Sequence, residues 1–266
     1  MTASSFWDGH FDGPVFVLTG DQDWAPEWAL RHMLELAADR AVPVHIFVTN
    51  ESEALGEARA DVTLGIHPSF LEGSTHGSDT ESVLDHCQAL VGGATSFRTH
   101  AFAESTHVIR SLVERGFVAD SNLCCFLQPG LVPLVHGAGL LRFPVYLEDD
   151  VLLDWGTELL DLAPVLETLF QPGLKVLNFH PALVGINAPS LSYYDASRDV
   201  LYSSDSSAGG SRYRGRGIGT VLEELIAAVH EAGYEFSSFP KVVQDAYGWL
   251  ERSRGGALYR WPDRRR

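Results

Sequence analysis

PVFVLTGDQDWAPEWALRHMLELAADRAVPVHIFVTN, residues 14–50, holds one complete strand–helix–strand unit. Val15–Thr19 is a run of apolar and β-branched residues and predicts a buried strand. Pro26–Asp39 predicts a helix, with Pro26 suited to the first turn, where the missing N–H costs nothing. Val44–Thr49 is the next strand. The same alternation continues outward. Strands are predicted at Val62–Ile66, Ser96–Arg98, Leu141–Leu147 and Lys175–Asn178. Helices are predicted at Thr80–Leu90, Ser105–Arg115, Leu159–Phe170, Gly219–Ala232 and Lys241–Glu251. Repeated β-then-α units imply parallel strands with right-handed crossovers, and about seven of them in one α/β domain predict a barrel. Residues 1–14 read as a lead-in, 15–252 as the barrel and 253–266 as a tail.

Composition bounds the function. The 266 residues are 45% hydrophobic and 20% charged, which describes a globular chain able to bury its own core. Net charge is −16, from 19 basic and 35 acidic residues. Such a field disfavours nucleic acid and anionic membranes as partners. Cys87, Cys124 and Cys125 make neither a disulfide framework nor a thiolate metal site. The first residues carry no basic stretch followed by an apolar one, and no apolar run approaches the ~20 residues of a membrane span. A cytoplasmic protein without membrane insertion is expected, and nothing specifies its oligomeric state. Ser203–Arg216, rich in glycine and serine, reads as a loop.

In parallel β/α barrels the chemistry gathers where strands end. Asp21 and Asp23 follow the first strand, two apart and so on one face of an extended chain, one suited to act as base and the other as metal ligand. His67 follows the third strand, with His76 beyond it. Arg98 and His100 follow the short strand at Ser96, Glu148-Asp149-Asp150 follow Leu147, and His180 follows Asn178. Two imidazoles and a carboxylate can hold a divalent metal with positions left open, a second carboxylate can take a proton from water, and a further histidine can protonate a leaving amine. Each piece has a plainer meaning. An Asp-x-Asp after a strand is often a cap, and three consecutive acids are often a turn. His10, His32, His45, His86 and His230 read as structural or exposed, and Cys124-Cys125 as core. Trp24 and Trp28 lie one helical turn apart, as core residues do, although Trp24 adjoins Asp23 and is also a candidate aromatic contact for a sugar.

The ordered set resembles the polysaccharide deacetylase (NodB-homology, carbohydrate esterase 4-like) superfamily. TGDQDWAPEW, LGIHPSFLEGSTHG, FRTHAFAEST, DSNLCCFLQPG, RFPVYLEDD and LNFHPALVGIN resemble its WbmS-like branch in particular, from about Val15 to the C-terminal helices. The resemblance implies a distorted (β/α)7 barrel in a single domain. It implies Asp21 as catalytic base; Asp23, His67 and His76 as metal ligands; His180 as general acid; and Arg98 orienting the base with Asp150 as its partner. Here the acids are separated by Gln22 and the histidines are nine residues apart, so Asp21 and Asp23 can exchange roles and His100 is the alternative to His76. Trp24 and His100 are the candidate substrate contacts. The implied activity is metal-dependent removal of an N-acyl, chiefly N-acetyl, group from a small amino sugar or sugar-containing intermediate, with zinc the first choice of metal. The alternatives are an amidohydrolase acting on another C–N bond and an inactive glycan-binding barrel.

Overall fold

Pro14–Asp21 forms strand β1, with Val17, Thr19 and Asp21 facing one way and Phe16, Leu18 and Gly20 the other. In the computed structural model, residue 7 and residues 9–59, 61–156, 160–202 and 212–253 are described. After β1 come helix α1 (Glu27–Asp39), β2 (Val44–Val48), α2 (Glu53–Gly56), β3 (Val62–Ile66), α3 (Thr80–Leu90), β4 (Ser96–Phe97) and α4 (Thr106–Glu114). The second half runs β5 (Ala119–Asp120), β6 (Leu134–Val135), β7 (Leu141–Arg142), β8 (Val145–Glu148), α5 (Asp149–Trp155), α6 (Ala163–Leu169), β9 (Gly173–Phe179), α7 (Pro181–Ile186), α8 (Leu191–Leu201), α9 (Ile218–Glu231) and α10 (Phe239–Ser253).

The nine strands are ordered β6-β7-β5-β4-β3-β2-β1-β9-β8, all parallel except β6, which runs antiparallel to β7. The two ends of this order meet. β7 and β8 are halves of one extended run, and the chain beyond β5 lies along it: Phe143 N–H donates to Asp120 C=O at 2.8 Å, Val145 N–H to Leu123 C=O at 2.8 Å, and Cys125 N–H to Val145 C=O at 2.9 Å. Setting aside β6 and counting β7 with β8, the nine strands make a distorted seven-stranded ring in a single α/β domain. The expected strand Leu141–Leu147 is broken between its halves because Pro144 has no N–H to give the ladder.

Inside the ring the side chains stack in layers. At the N-terminal end Phe239, the first residue of α10, stacks on His45 at 4.8 Å and plugs the opening. His45, bonded to Thr63 and Ser96, is buried and held neutral, its pKa pushed down by burial to about 3. Phe47 fills the middle, and a Cβ on Gly65 would stand 2.8 Å from both Phe47 and His45, so only glycine fits there. Above Phe47 lies the Arg98 guanidinium, 4.5 Å from the ring centre. The lead-in is part of this core: Trp7 and Phe11 are buried, and Trp7 Nε1 donates to Pro133 C=O at 3.0 Å. The expected tail beyond 253 and most of the Ser203–Arg216 loop lie outside the described residues.

Candidate active site

The rim is built first by β1. Gln22 turns away from the two acids, and its side-chain oxygen accepts the backbone N–H groups of Thr49 (2.9 Å) and Asn50 (3.1 Å) beyond β2. Asp21 and Asp23 are thereby left on the same side. Asp23 and Trp24 both take left-handed backbone angles (φ 45° and 53°), a conformation that aspartate tolerates and that is costly for a bulky tryptophan. The Trp24 N–H bond to Thr49 Oγ1 (2.9 Å) helps to hold it.

Asp21 is buried. Its Oδ1 accepts from Arg98 Nη1 at 2.8 Å and its Oδ2 from Asn178 Nδ2 at 3.0 Å. Burial favours the neutral acid, but the charges of Arg98, His67 and His180 outweigh it and hold the carboxyl below its usual range. Arg98 spends all five N–H donors in the barrel: on Asp21, the Asn178 oxygen, Thr19 Oγ1, Ser121 Oγ and Ser121 C=O.

Around Asp23 three donors converge. His67 Nε2 lies 3.0 Å and His100 Nδ1 2.9 Å from its Oδ1, and the three ligand atoms all lie within 4.8 Å of one another. His67 follows β3 directly, whereas His100 opens a single tight turn, His100–Phe102. That turn is pinned by Asn122, whose Oδ1 accepts from the N–H (3.0 Å) and hydroxyl (2.8 Å) of Thr99. Burial opposes the charge on Asp23, yet hydrogen bonds from His100 and His67 keep its carboxyl well below the ordinary value. His180 faces the same acid from the opposite side, Nε2 to Oδ2 at 3.5 Å. Its Nδ1 lies 2.6 Å from Asp149 Oδ1, and its backbone N–H donates to Asp149 Oδ2 at 2.8 Å. Burial would lower the His180 pKa, but the charge and hydrogen bond of Asp149 raise it well above the usual histidine value.

Two expected placements are corrected. His76 stands apart from the cluster: its Nδ1 accepts the Ser69 N–H at 3.1 Å and its Nε2 donates to Thr49 C=O at 2.8 Å, so neither ring nitrogen has a lone pair left for a metal. His100, the alternative to His76, stands beside Asp23 and His67. Asp150 is not the partner of Arg98. Its carboxylate accepts the Val151 N–H at the start of α5 and borders the cleft with Asp23, His180, Ala182, Leu183, Leu191 and Tyr194. Trp24 lies beside the site, its ring 5.5 Å from that of His100 and 5.2 Å from that of His76. Two contributors lay outside the sequence expectation. Asp149 reads only as the middle acid of a triplet from which Asp150 is singled out, and Asn178 only as the end of a strand, whereas it lies inside β9 (Gly173–Phe179).

A family model described as WbmS-like polysaccharide deacetylase matches residues 18–198. The chain belongs to this family. The crystal structure of a candidate polysaccharide deacetylase involved in O-antigen biosynthesis, WbmS of Bordetella bronchiseptica, is 28% identical and superposes with a TM-score of 0.72 over 82% of this chain and 91% of that one. A candidate polysaccharide deacetylase from Mycobacterium smegmatis is 17% identical, with a TM-score of 0.46 over 86% of this chain and 94% of the other. A CE4 family pseudoenzyme from Bacillus anthracis is 13% identical, with a TM-score of 0.45 over 88% and 66%. No curated protein matches the sequence.

The WbmS-like rim has a donor set that fits a divalent metal. Two imidazoles and one carboxylate point at a common centre, and without a cation between them the two ring nitrogens facing Asp23 must both carry protons. All three cysteines are free and none joins this donor set. No helix among the described residues is long and apolar enough to cross a membrane.

Proposed function

We propose that the protein is a metal-dependent deacetylase that hydrolyses the N-acyl, chiefly N-acetyl, amide of an amino sugar or sugar-containing biosynthetic intermediate. The observation that carries this reading is the convergence of Asp21, Asp23, His67, His100 and His180 on one rim. Asp23, His67 and His100 would hold the ion, with zinc suited to two nitrogens and one oxygen. A divalent ion held there supplies Lewis acidity to the amide carbonyl and to the attacking water.

The protein's own groups do the rest. Asp21, kept ionised by Arg98, takes the proton from the water as it attacks the carbonyl carbon. Arg98 and Asn178 hold one carboxylate oxygen each, which fixes the orientation of the base. His180, kept protonated by Asp149, delivers its Nε2 proton to the departing amine as the C–N bond breaks. Ala182, Leu183 and Leu191 give the cleft an apolar wall suited to an acyl methyl, and Tyr194 an aromatic surface suited to a sugar ring. The related Bordetella protein, described as involved in O-antigen biosynthesis, supports a sugar substrate.

Two substitutions test the reading. His100→Ala should lose both bound metal, measured by elemental analysis after dialysis, and acetate release from a panel of N-acetyl amino sugars. His76→Ala should keep the metal while lowering stability by roughly 1–3 kcal/mol, because it leaves the Ser69 N–H and Thr49 C=O unpaired. Metal retained in His100→Ala and lost in His76→Ala would sink the ligand set. Faster release from non-sugar amides than from any N-acetyl sugar would sink the substrate class.

A further inference from the structure

Beneath the rim lies an acid for which the reaction above has no use. Glu148 ends β8 and is 2% exposed. Its Oε1 accepts from Asn178 Nδ2 at 2.7 Å, and its Oε2 is buried with no hydrogen-bond partner among the described residues. Arg98 faces it from the end of β4, but every Arg98 N–H is committed elsewhere. Asp21 from β1, His180 beyond β9, Asp150 on α5 and Cys124 are the other titratable groups around it. A carboxylate buried without a cation of its own is costly, and the protonated form relieves that cost.

The hydrogen bonds tie Glu148 to the base through Asn178. Asn178 gives its two amide N–H bonds to Glu148 Oε1 and Asp21 Oδ2, and its oxygen accepts from Arg98 and from Thr19 Oγ1 (2.8 Å). The amide can therefore neither flip nor slide without losing a partner. Ligand atoms of Asp21, Glu148 and His180 all lie within 4.8 Å of one another, so a charge on Glu148 would act directly on both the base and the acid.

We propose that Glu148 is a positioning residue that works as a neutral acid, locking Asn178 against Asp21 and leaving Asp21 the only negative charge of that pair. The proposal rests on Asp21 being the base. Burial, opposed by Arg98 and reinforced by Asp21, pushes the Glu148 carboxyl up to about 8, so its proton is present at neutral pH and lost just above it.

The test compares Glu148→Gln, which keeps an uncharged acceptor for Asn178, with Glu148→Ala, which removes it. Glu148→Ala should lower kcat about 10- to 100-fold through a misplaced base, with KM and metal content unchanged. Glu148→Gln should keep most of kcat, and its alkaline limb of kcat against pH should move upward from the wild-type position near pH 8. The infrared difference spectrum between wild type and Glu148→Gln at pH 7 should contain the carbonyl band of a protonated carboxylic acid, a reading that needs no activity. Wild-type kcat and alkaline limb in both variants, a Gln variant as slow as the Ala variant, or no such band would each overturn the proposal. Absence of acetate release from the wild-type protein would instead overturn the deacetylase reading, while the infrared band still reported the state of Glu148.

Discussion

His180 and Asp149 give the sharpest expectation at the scale of single residues. The charge on Asp149 and its 2.6 Å contact hold the His180 proton. Asp149→Asn removes the charge and keeps the shape, so the His180 pKa should fall and its proton should leave at lower pH. The alkaline limb of kcat should move downward, and kcat at neutral pH should drop by about 10²-fold, within the range ascribed to proton donation. An unchanged pH profile with reduced kcat would mean that Asp149 only shapes the loop. The same pair shows what a sequence can reveal. Asp21, His67, Arg98 and His180 were legible because each ends or directly follows a strand, where side-chain direction follows from alternation. Asp150 was singled out in place of Asp149 because α5 begins at Asp149 and helical turning replaces alternation there, so strand spacing does not tell which acid faces the site. His76 misled because the Pro68–Ser74 loop returns its ring to the backbone of Ser69 and Thr49, a path with no periodicity to read.

At the scale of elements, most strands and long helices followed their periodic patterns, with ends shifted by a residue or two. The helix expected at Leu159–Phe170, whose first residue lies outside the described residues, begins only at Ala163, after the left-handed Leu162 and with Pro164 in its first turn. β5 was missed because only two residues make its ladder, although the segment behind it closes the ring. α8 was missed because it buries so little: of its residues only Leu201 is buried, so no apolar stripe marks it. Its start is capped by Ser190, whose Oγ accepts the Tyr193 N–H at 3.2 Å. This weakly anchored helix brings Leu191 and Tyr194 to the cleft. The opposite end of the barrel is closed by a well-anchored element. Phe239 on α10 is 1% exposed and touches His45, Phe47 and Phe143. Phe239→Ala should cost about 3–5 kcal/mol in denaturant unfolding, as large core truncations do. Metal content and KM, measured well below the unfolding midpoint, should not change, because the lesion lies at the strand starts and the site at the strand ends. Loss of metal in the folded variant would show that the two ends are coupled through the Phe47–Arg98 stack.

For the whole molecule, charge is the property that no single residue expresses. The chain carries −16, and the cleft is bordered by Asp23, Asp150 and His180 with no lysine or arginine among its described lining residues. A net field of this sign repels anionic solutes over distances set by the Debye length, about 10 Å at 0.1 M salt. A bound divalent ion would neutralise part of the field at the rim, leaving the outer approach acidic. The substrates favoured by this field are uncharged or cationic N-acetyl sugars, and carboxylated or phosphorylated ones must enter against it. Raising ionic strength from about 10 mM to about 0.5 M should therefore increase kcat/KM for an anionic N-acetyl sugar several-fold. A neutral methyl glycoside of the same sugar should show almost no change. The comparison cancels any general effect of salt on the fold, since both substrates meet the same protein. If kcat/KM for the anionic sugar falls with salt instead, a local basic surface guides it, and the acidic field does not govern which sugars reach the site.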